Sequence, residues 1–350
     1  MRSPFNWLLV AVPVALLLGF TPDYEIAAFI AAAIAIVPLA RLMGEATEQI
    51  TRSTGAAVGA FLNASFGNAT ELIIAVIAVR RGLFELVKAS ITGSIIGNIL
   101  IVLGLAMLAG GWSRQRQHFD RTAASANSAL LLLAVIALVV PAVYDMTVFG
   151  HLETTGPTVE KLSLLVSFVL IVMYGLSLLF TFRTHRAPEN ISGFEPAQWK
   201  ISTAASVLAA TALAIAVVSE VLVGAVEVAA HALGMTELFV GVVIVAVIGN
   251  AAEHATAVQM AVKNKMDIAL GIAVGSSIQI ALFVAPVIVF ASWLMGKPMS
   301  LIFTGFEIVA VALSVAIASL VSLDGESNWL EGAQLIAVYL ILAIAFYFIP

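Results

Sequence analysis

Eleven apolar runs separated by short polar breaks constrain this chain more than any other feature. They cover about 5–20, 23–43, 54–80, 84–110, 123–144, 162–183, 200–220, 237–262, 266–295, 301–322 and 330–349. Several exceed the roughly 20 residues that an α-helix needs to cross a bilayer. Lipid offers backbone N–H and C=O groups no partner, so a spanning segment is a helix or part of a closed barrel. Runs this long read as helices. Composition agrees: the chain is 61% hydrophobic and 11% charged, where a soluble domain is about a quarter charged. The expected class is therefore an all-α integral membrane protein with about eleven transmembrane helices. The formal net charge of −5 says little, because most of such a surface faces lipid.

With no cysteine in the chain, disulfides, thiol catalysis and cysteine metal sites are excluded. The first run has the length of a signal peptide. Only Arg2 precedes it and no small-residue cleavage site follows, so it reads as a retained helix. Glycine, serine and asparagine inside the longer runs point to kinked or broken helices. The longest breaks are 111–122, 145–161 and 184–199.

Lysine and arginine set the orientation. With the N-terminus in the cytoplasm, eleven basic residues fall inside: Arg2, Arg41, Arg52, Arg114, Arg116, Arg121, Arg183, Arg186, Lys200, Lys263 and Lys265. Five fall outside: Arg80, Arg81, Lys88, Lys161 and Lys297. The bias favours a multi-pass protein of the cell (inner) membrane with a cytoplasmic N-terminus. The outside pair Arg80–Arg81 runs against it.

Two short stretches, GNATELIIAV at 67–76 and GNAAEHATAV at 249–258, each place a glutamate inside an apolar run. A single offset, which carries position 67 onto 249, superposes them. Gly67, Asn68, Ala69 and Glu71 fall on Gly249, Asn250, Ala251 and Glu253, and Gly93–Ser94 fall on Gly275–Ser276 without a gap. Upstream, Glu45 falls on Glu227 and Gly59 on Gly241. The chain divides into an N-terminal helix (1–22), a first five-helix repeat (23–183), a cytoplasmic connection (184–199) and a second five-helix repeat (200–350). Because five is odd, the second repeat enters the membrane inverted relative to the first. Many secondary transporters are built this way, with the binding site near the midplane where the repeats meet.

On a helix, Asn68 and Glu71 share a face, as do Asn250 and Glu253. The following helix of each half adds a hydroxyl and an amide, Ser94 with Asn98 and Ser276 with Gln279. Together these are hard oxygen ligands. Calcium accepts six to eight of them in flexible geometry, while magnesium demands a tighter octahedron. Without cysteine or clustered histidine, zinc and copper fit poorly. The glycines before Asn68 and Asn250 would let the backbone open and free carbonyls as further ligands. A carboxylate away from water must be neutralised by a cation or a proton. Two glutamates on one cavity therefore hold a cation or protons, hardly both, and that competition is the basis of an antiporter. No phosphate-binding loop of the P-loop type is present, so the exchange draws on no ATP, and no cofactor is expected beyond the transported ions.

Intramembrane acids are functional by default, and duplication weighs against a merely structural role for Glu71 and Glu253. Glu45, Glu220 and Glu227 sit nearer segment ends, where a solvated or gate-lining role competes with ion binding. Glu307 has no duplicate, and a helix–helix hydrogen bond is its expected job. His254 points elsewhere on its helix than Glu253 and is read as support for it, or as a proton relay. The small-residue spacings Gly55–Gly59, Gly93–Gly97 and Gly271–Gly275 are compatible with close helix packing alone.

The stretches GNATELIIA with GSIIGN downstream, and GNAAEHATA with KNKMDIALGIAVGSSIQIALF downstream, resemble the two alpha-repeats of the calcium/cation antiporter superfamily. The latter stretch is similar to the cation/proton exchanger branch in particular. The resemblance implies Ca²⁺/H⁺ exchange by alternating access, with Glu71 and Glu253 as shared cation and proton ligands. It implies a pathway lined by Asn68, Ser94, Asn98, Asn250, Ser276 and Gln279. Glu220 and Glu227, in SEVLVGAVE, match acids of the family and are implied as relay groups. It further implies a homo-oligomer, with a trimer as one form, and no nucleic-acid partner. Many eukaryotic relatives carry an acidic stretch between the halves; here RTHRAPENISGFEPAQWK holds only Glu189 and Glu195, which points to a compact prokaryotic type. Sodium/calcium exchangers often carry a further acid where this chain has Asn98 and Gln279, which argues against several sodium sites. The competing expectations are a sodium/calcium or other cation exchanger on the same fold, a passive cation channel, and an intramembrane enzyme, for which no zinc or serine–histidine motif is evident.

Overall fold

A computed structural model describes residues 4–54, 62, 66–150, 152, 156–184 and 197–349. Gly55, Gly59, Glu189 and Glu195 lie outside these residues. Eleven helices follow one another among the described residues. A tight turn at Pro4–Val10 leads into α1 (Ala11–Gly19), then α2 (Glu25–Thr54), α3 (Ala69–Arg81), α4 (Phe84–Gly111), α5 (Arg121–Phe149) and α6 (Pro157–Thr184). The second half supplies α7 (Ile201–Ala232), α8 (Glu237–Val262), α9 (Met266–Leu294), α10 (Gly305–Val321) and α11 (Trp329–Phe348). Eight of them are long and apolar enough to cross a membrane.

Helices α4 and α9 form the centre. They are 83% and 72% buried along their apolar stretch, against 22% for α6 and 28% for α11, which face outward. Each central helix widens into a π-turn at its middle, Gly97–Val102 in α4 and Ile280–Val284 in α9. The offset that superposes the duplicated glutamates also carries Val102 onto Val284, so the inverted repeat extends to the backbone. Such turns occur mostly at functional sites, because the extra residue breaks the regular ladder. Where the two helices cross, Ser277 Oγ donates to the Ile95 carbonyl at 3.4 Å. These two residues are equivalents under the same offset, so their contact marks the pseudo-twofold axis.

Helix α2 packs along α7. Its buried face, Ala28, Ala32, Ala35, Ile36, Leu39 and Met43, recurs at three and four residues and is rich in alanine, which lets two backbones approach closely. Gln49 Oε1 accepts from the backbone N–H groups of Gln198 and Trp199, tying the end of α2 to the start of α7. Both helices outrun their apolar segments. Helix α2 continues past residue 43 to Thr54, because Arg41, Glu45, Glu48 and Arg52 form a polar stripe facing an aqueous cavity. Helix α7 continues past residue 220 to Ala232.

The ends of α4, α8 and α10 share one face of the molecule, here the near face. A two-stranded ribbon pairs Gln117–His118 with Glu326–Ser327 there. The Gln117 side chain donates to the Ala261 carbonyl at 2.9 Å, and Asp120 N–H donates to Asp267 Oδ1 at 2.6 Å. The opposite, far face holds the α3–α4 turn and the end of α9. Lys88, counted among the outside charges, is in fact buried in α4, where its ammonium reaches Glu85 Oε1 at 3.3 Å. Because it is buried within a helix and not in a loop, Lys88 leaves the loop tally.

Candidate ion site

The two duplicated stretches meet at the crossing of α4 and α9. Gly67 and Asn68 form a turn from which α3 starts, and Glu71 lies in its first turn. Asn68 sits at φ −105°, ψ 25°, outside helical geometry. The chain turns here, but the Asn68 carbonyl accepts from the Leu72 N–H at 3.0 Å and is not freed as a ligand. In the second half it does not turn: Gly249 and Asn250 lie inside the continuous helix Ala246–Val262. The reason is the neighbour. A Cβ on Gly249 would stand 3.1 Å from Glu71 Oε1 and 3.2 Å from its Cγ, so the missing side chain makes room for the other half's acid.

All the residues expected to line the pathway except Ser276 reach across to the other repeat. Asn68 Nδ2 donates to Gln279 Oε1 at 2.6 Å. Asn250 Nδ2 donates to Ser94 Oγ at 3.0 Å and to the Ala246 carbonyl at 2.9 Å. Asn98 Nδ2 approaches Asn250 Oδ1 at 3.4 Å. Within the second half, Ser276 Oγ donates to Glu253 Oε2 at 2.5 Å. Glu71 packs against Gly249, one helical turn before Glu253 on the same helix, which brings the two acids to adjoining positions. Two acceptor oxygens, Glu71 Oε2 and Asn68 Oδ1, are buried without a donor among the described residues. Buried oxygens are rarely left so, and a cation, a proton or water would satisfy them.

A cavity of about 1060 Å³ leads to this cluster from the near face. Its walls include Arg41, Glu45, Glu48 and Arg52 of α2 and Thr256 and Gln259 of α8, and its floor is Glu253, Ser276 and Gln279. Glu71, Asn68, Asn250, Ser94 and Asn98 lie beneath that floor and do not line the cavity. Among the described residues, the cavity thus approaches the site from the near face. Among the described residues, no three of His, Cys, Asp and Glu gather as a metal cluster. The donor set is two carboxylates with amide and hydroxyl oxygens, which suits a hard cation that must also leave.

The remaining sequence candidates divide. Glu45 lines the cavity. Glu220 lies on the far side, ion-paired to Arg80 at 2.8 Å and Arg81 at 3.1 Å. That pairing explains the anomalous outside arginines. Glu227 is exposed on α7, away from the cavity. His254 forms no hydrogen bond with Glu253, and its Nε2 meets no partner among the described residues. Glu307 is buried; it accepts from Thr304 in a capping box and from Thr92 Oγ1 of α4 at 3.1 Å. Sequence reasoning missed Glu48, Arg52 and Arg41 as cavity residues. Their spacing with Glu45 at three and four residues was the available signal.

The family model described as "Sodium/calcium exchanger protein" matches residues 24–183 and 203–348. The chain is 46% identical over 363 residues to the Ca²⁺/H⁺ antiporter of Aphanothece halophytica, covering 99% of this chain and 96% of the relative. It is 44% identical over 321 residues to the Ca²⁺/H⁺ antiporter ChaA of Bacillus subtilis (strain 168), covering 90% of each. The solved structure of native YfkE superposes with a TM-score of 0.86 at 40% identity, over 99% of this chain and all (100%) of the other.

Proposed function

Because the chain belongs to the sodium/calcium exchanger protein family, and because Glu253 at the floor of the cavity has Glu71 of the other half packed one helical turn away against Gly249, we propose that it exchanges Ca²⁺ for H⁺ by alternating access. The near face is cytoplasmic in this reading. The relocation of Lys88 sharpens the basic bias toward it. Calcium enters past Glu45, beside a Glu48 that is held by Arg52 at 2.7 Å. At the floor it meets Glu253 first. It then displaces protons from Glu253 and Glu71, and the Ser276 hydroxyl and Asn68 and Gln279 amides turn their oxygens to it.

With both carboxylates neutralised by the cation, the site is free to be sealed from the near face. The α2–α7 pair moves as one body across the central helices, since Gln49 and the alanine seam hold it together. Two protons, arriving from the far side, release the cation and carry the neutral site back. The ion gradients supply the energy, and the inner membrane is the site of action.

The meeting of Glu71 and Glu253 carries this reading. The test is Ca²⁺ uptake into proteoliposomes with an acidic interior. Uptake that needs the pH gradient and ignores sodium supports it. The family description favours one second reading, sodium-coupled exchange; uptake driven by a sodium gradient without a pH gradient would establish that instead. Flux that ignores both gradients would indicate a passive channel.

A further inference from the structure

The far end of α3 carries two arginines, and α7 carries the acid that meets both. Arg80 Nη2 lies 2.8 Å from Glu220 Oε1. Arg81 Nη2 lies 3.1 Å from Glu220 Oε2 and 3.2 Å from its carbonyl. Lys297 Nζ, beyond the end of α9, donates to the Arg80 carbonyl at 2.7 Å. One turn along α7, Gly224 beds the Arg81 guanidinium; a Cβ there would sit 3.0 Å from Nη1. Helix α3 carries Glu71 in its first turn and so reaches the candidate site. Helix α7 belongs to the packed α2–α7 pair. Glu220 therefore joins the two bodies that must part for the far side to open.

The inverted repeat shows what is special about this contact. In such a fold each face closes with equivalent surfaces, and the two facings differ only by what the sequences add. In the second half, the positions equivalent to Arg80 and Arg81 are Val262 and Lys263. In the first half, the position equivalent to Glu220 is Pro38. Proline carries no charge, so the near face cannot form the same ion pairs when it closes. The Arg80–Glu220–Arg81 pairs therefore have no counterpart at the equivalent near-face positions.

We propose that Arg80, Arg81 and Glu220 form a one-sided latch that biases the resting exchanger toward the near-facing state. The latch rests on the alternating-access reading above. It adds that the two facings are unequal in energy and names the cause. Exposed ion pairs are individually weak and salt-screened. Two pairs on one carboxylate shift the ratio of facings by roughly three- to tenfold.

The chain has no cysteine, so single cysteines report each facing without background. Thr256 lines the near cavity. Its equivalent in the first half is Ile74, buried with 3% exposure in this structure. Thr256→Cys and Ile74→Cys are introduced separately and labelled with a maleimide in nanodiscs, where both faces are accessible. The backgrounds are the parent, Glu220→Gln, and the charge exchange Glu220→Arg with Arg80→Glu and Arg81→Glu. The latch predicts that Glu220→Gln raises labelling at 74 and lowers it at 256, with a change of about three- to tenfold in their ratio. The charge exchange restores parental rates, and high salt acts on the parent as Glu220→Gln does. Unchanged rates at both positions in Glu220→Gln overturn the latch. So does a rise at both positions together, which would mean that the pairs only hold the fold. Calcium and pH test the underlying reading separately: a parent whose labelling responds to neither contradicts alternating access itself. A responsive parent whose latch variants match it overturns the latch alone.

Discussion

Glu71 of the first half rests against the backbone of Gly249 in the second, with its carboxyl where any Cβ at 249 would press. The inverted repeats are thus fitted to each other at the site as well as at the crossing of α4 and α9. An acid from one half occupies the space left by a glycine of the other.

Gly249→Ala separates stability from ion affinity. Alanine is favoured over glycine in a helix interior by about 1 kcal/mol, and Gly249 is helical. The new methyl would stand 3.1 Å from Glu71 Oε1, so the carboxyl must shift by a few tenths of an ångström. The expected outcome is an unchanged or raised melting temperature together with a KM for Ca²⁺ raised roughly tenfold, since small misplacements of a polar group cost affinity steeply. Thermal unfolding and concentration-dependent uptake on one preparation check it.

Glu307 is a control for intramembrane acids that do not carry ions. Its two oxygens are committed to Thr304 and Thr92. Glu307→Gln replaces one acceptor oxygen by an amide donor, which either opposes the Thr304 N–H or forces the Thr92 hydroxyl to turn from donor to acceptor. Stability should fall by about 1–3 kcal/mol, while the KM for Ca²⁺ and the proton dependence of the surviving protein stay as they were. Denaturation with uptake measurement distinguishes this from a role in transport.

Proton competition fixes the sign of the pH response. With protons and Ca²⁺ sharing the two carboxylates as proposed, lowering the pH on the loading side should raise the apparent KM without lowering the maximal rate. With two protons displaced by one cation, the limiting dependence approaches about 100-fold in KM per pH unit. On the release side, acid accelerates turnover. Uptake measured while each side's pH is varied alone reads both signs. A maximal rate that falls with loading-side acid, at constant KM, contradicts shared occupancy.

The fold was legible in proportion to its hydropathy. Each of the eleven apolar runs overlaps a described helix, the run 54–80 doing so over Ala69–Arg81 with most of 55–65 outside the described residues, and the offset that aligns Glu71 with Glu253 also aligns the π-turns of α4 and α9. Hydropathy failed where a helix faces water inside the membrane. The run ending at residue 43 is a helix to Thr54, because its last turns line the cavity with Glu45, Glu48 and Arg52. The duplicated glutamates exposed the heart of the site. Its asymmetry stayed hidden, because Gly67 and Gly249 are the same letter, one opening a turn and the other admitting a side chain. Glu220 could be seen as an acid near a segment end. Its partners, about 140 residues away, depend on tertiary packing that no local pattern encodes.

The central claim is that Glu71 and Glu253 hold either one calcium ion or protons. The most direct measurement adds Ca²⁺ to the purified protein in weakly buffered solution and follows proton release together with bound Ca²⁺, for the parent and for Glu71→Gln and Glu253→Gln. The account predicts about two protons released per ion bound in the parent, with release and binding both lost or greatly weakened in each variant. Calcium bound without proton release, or parental release and affinity in either variant, would contradict it.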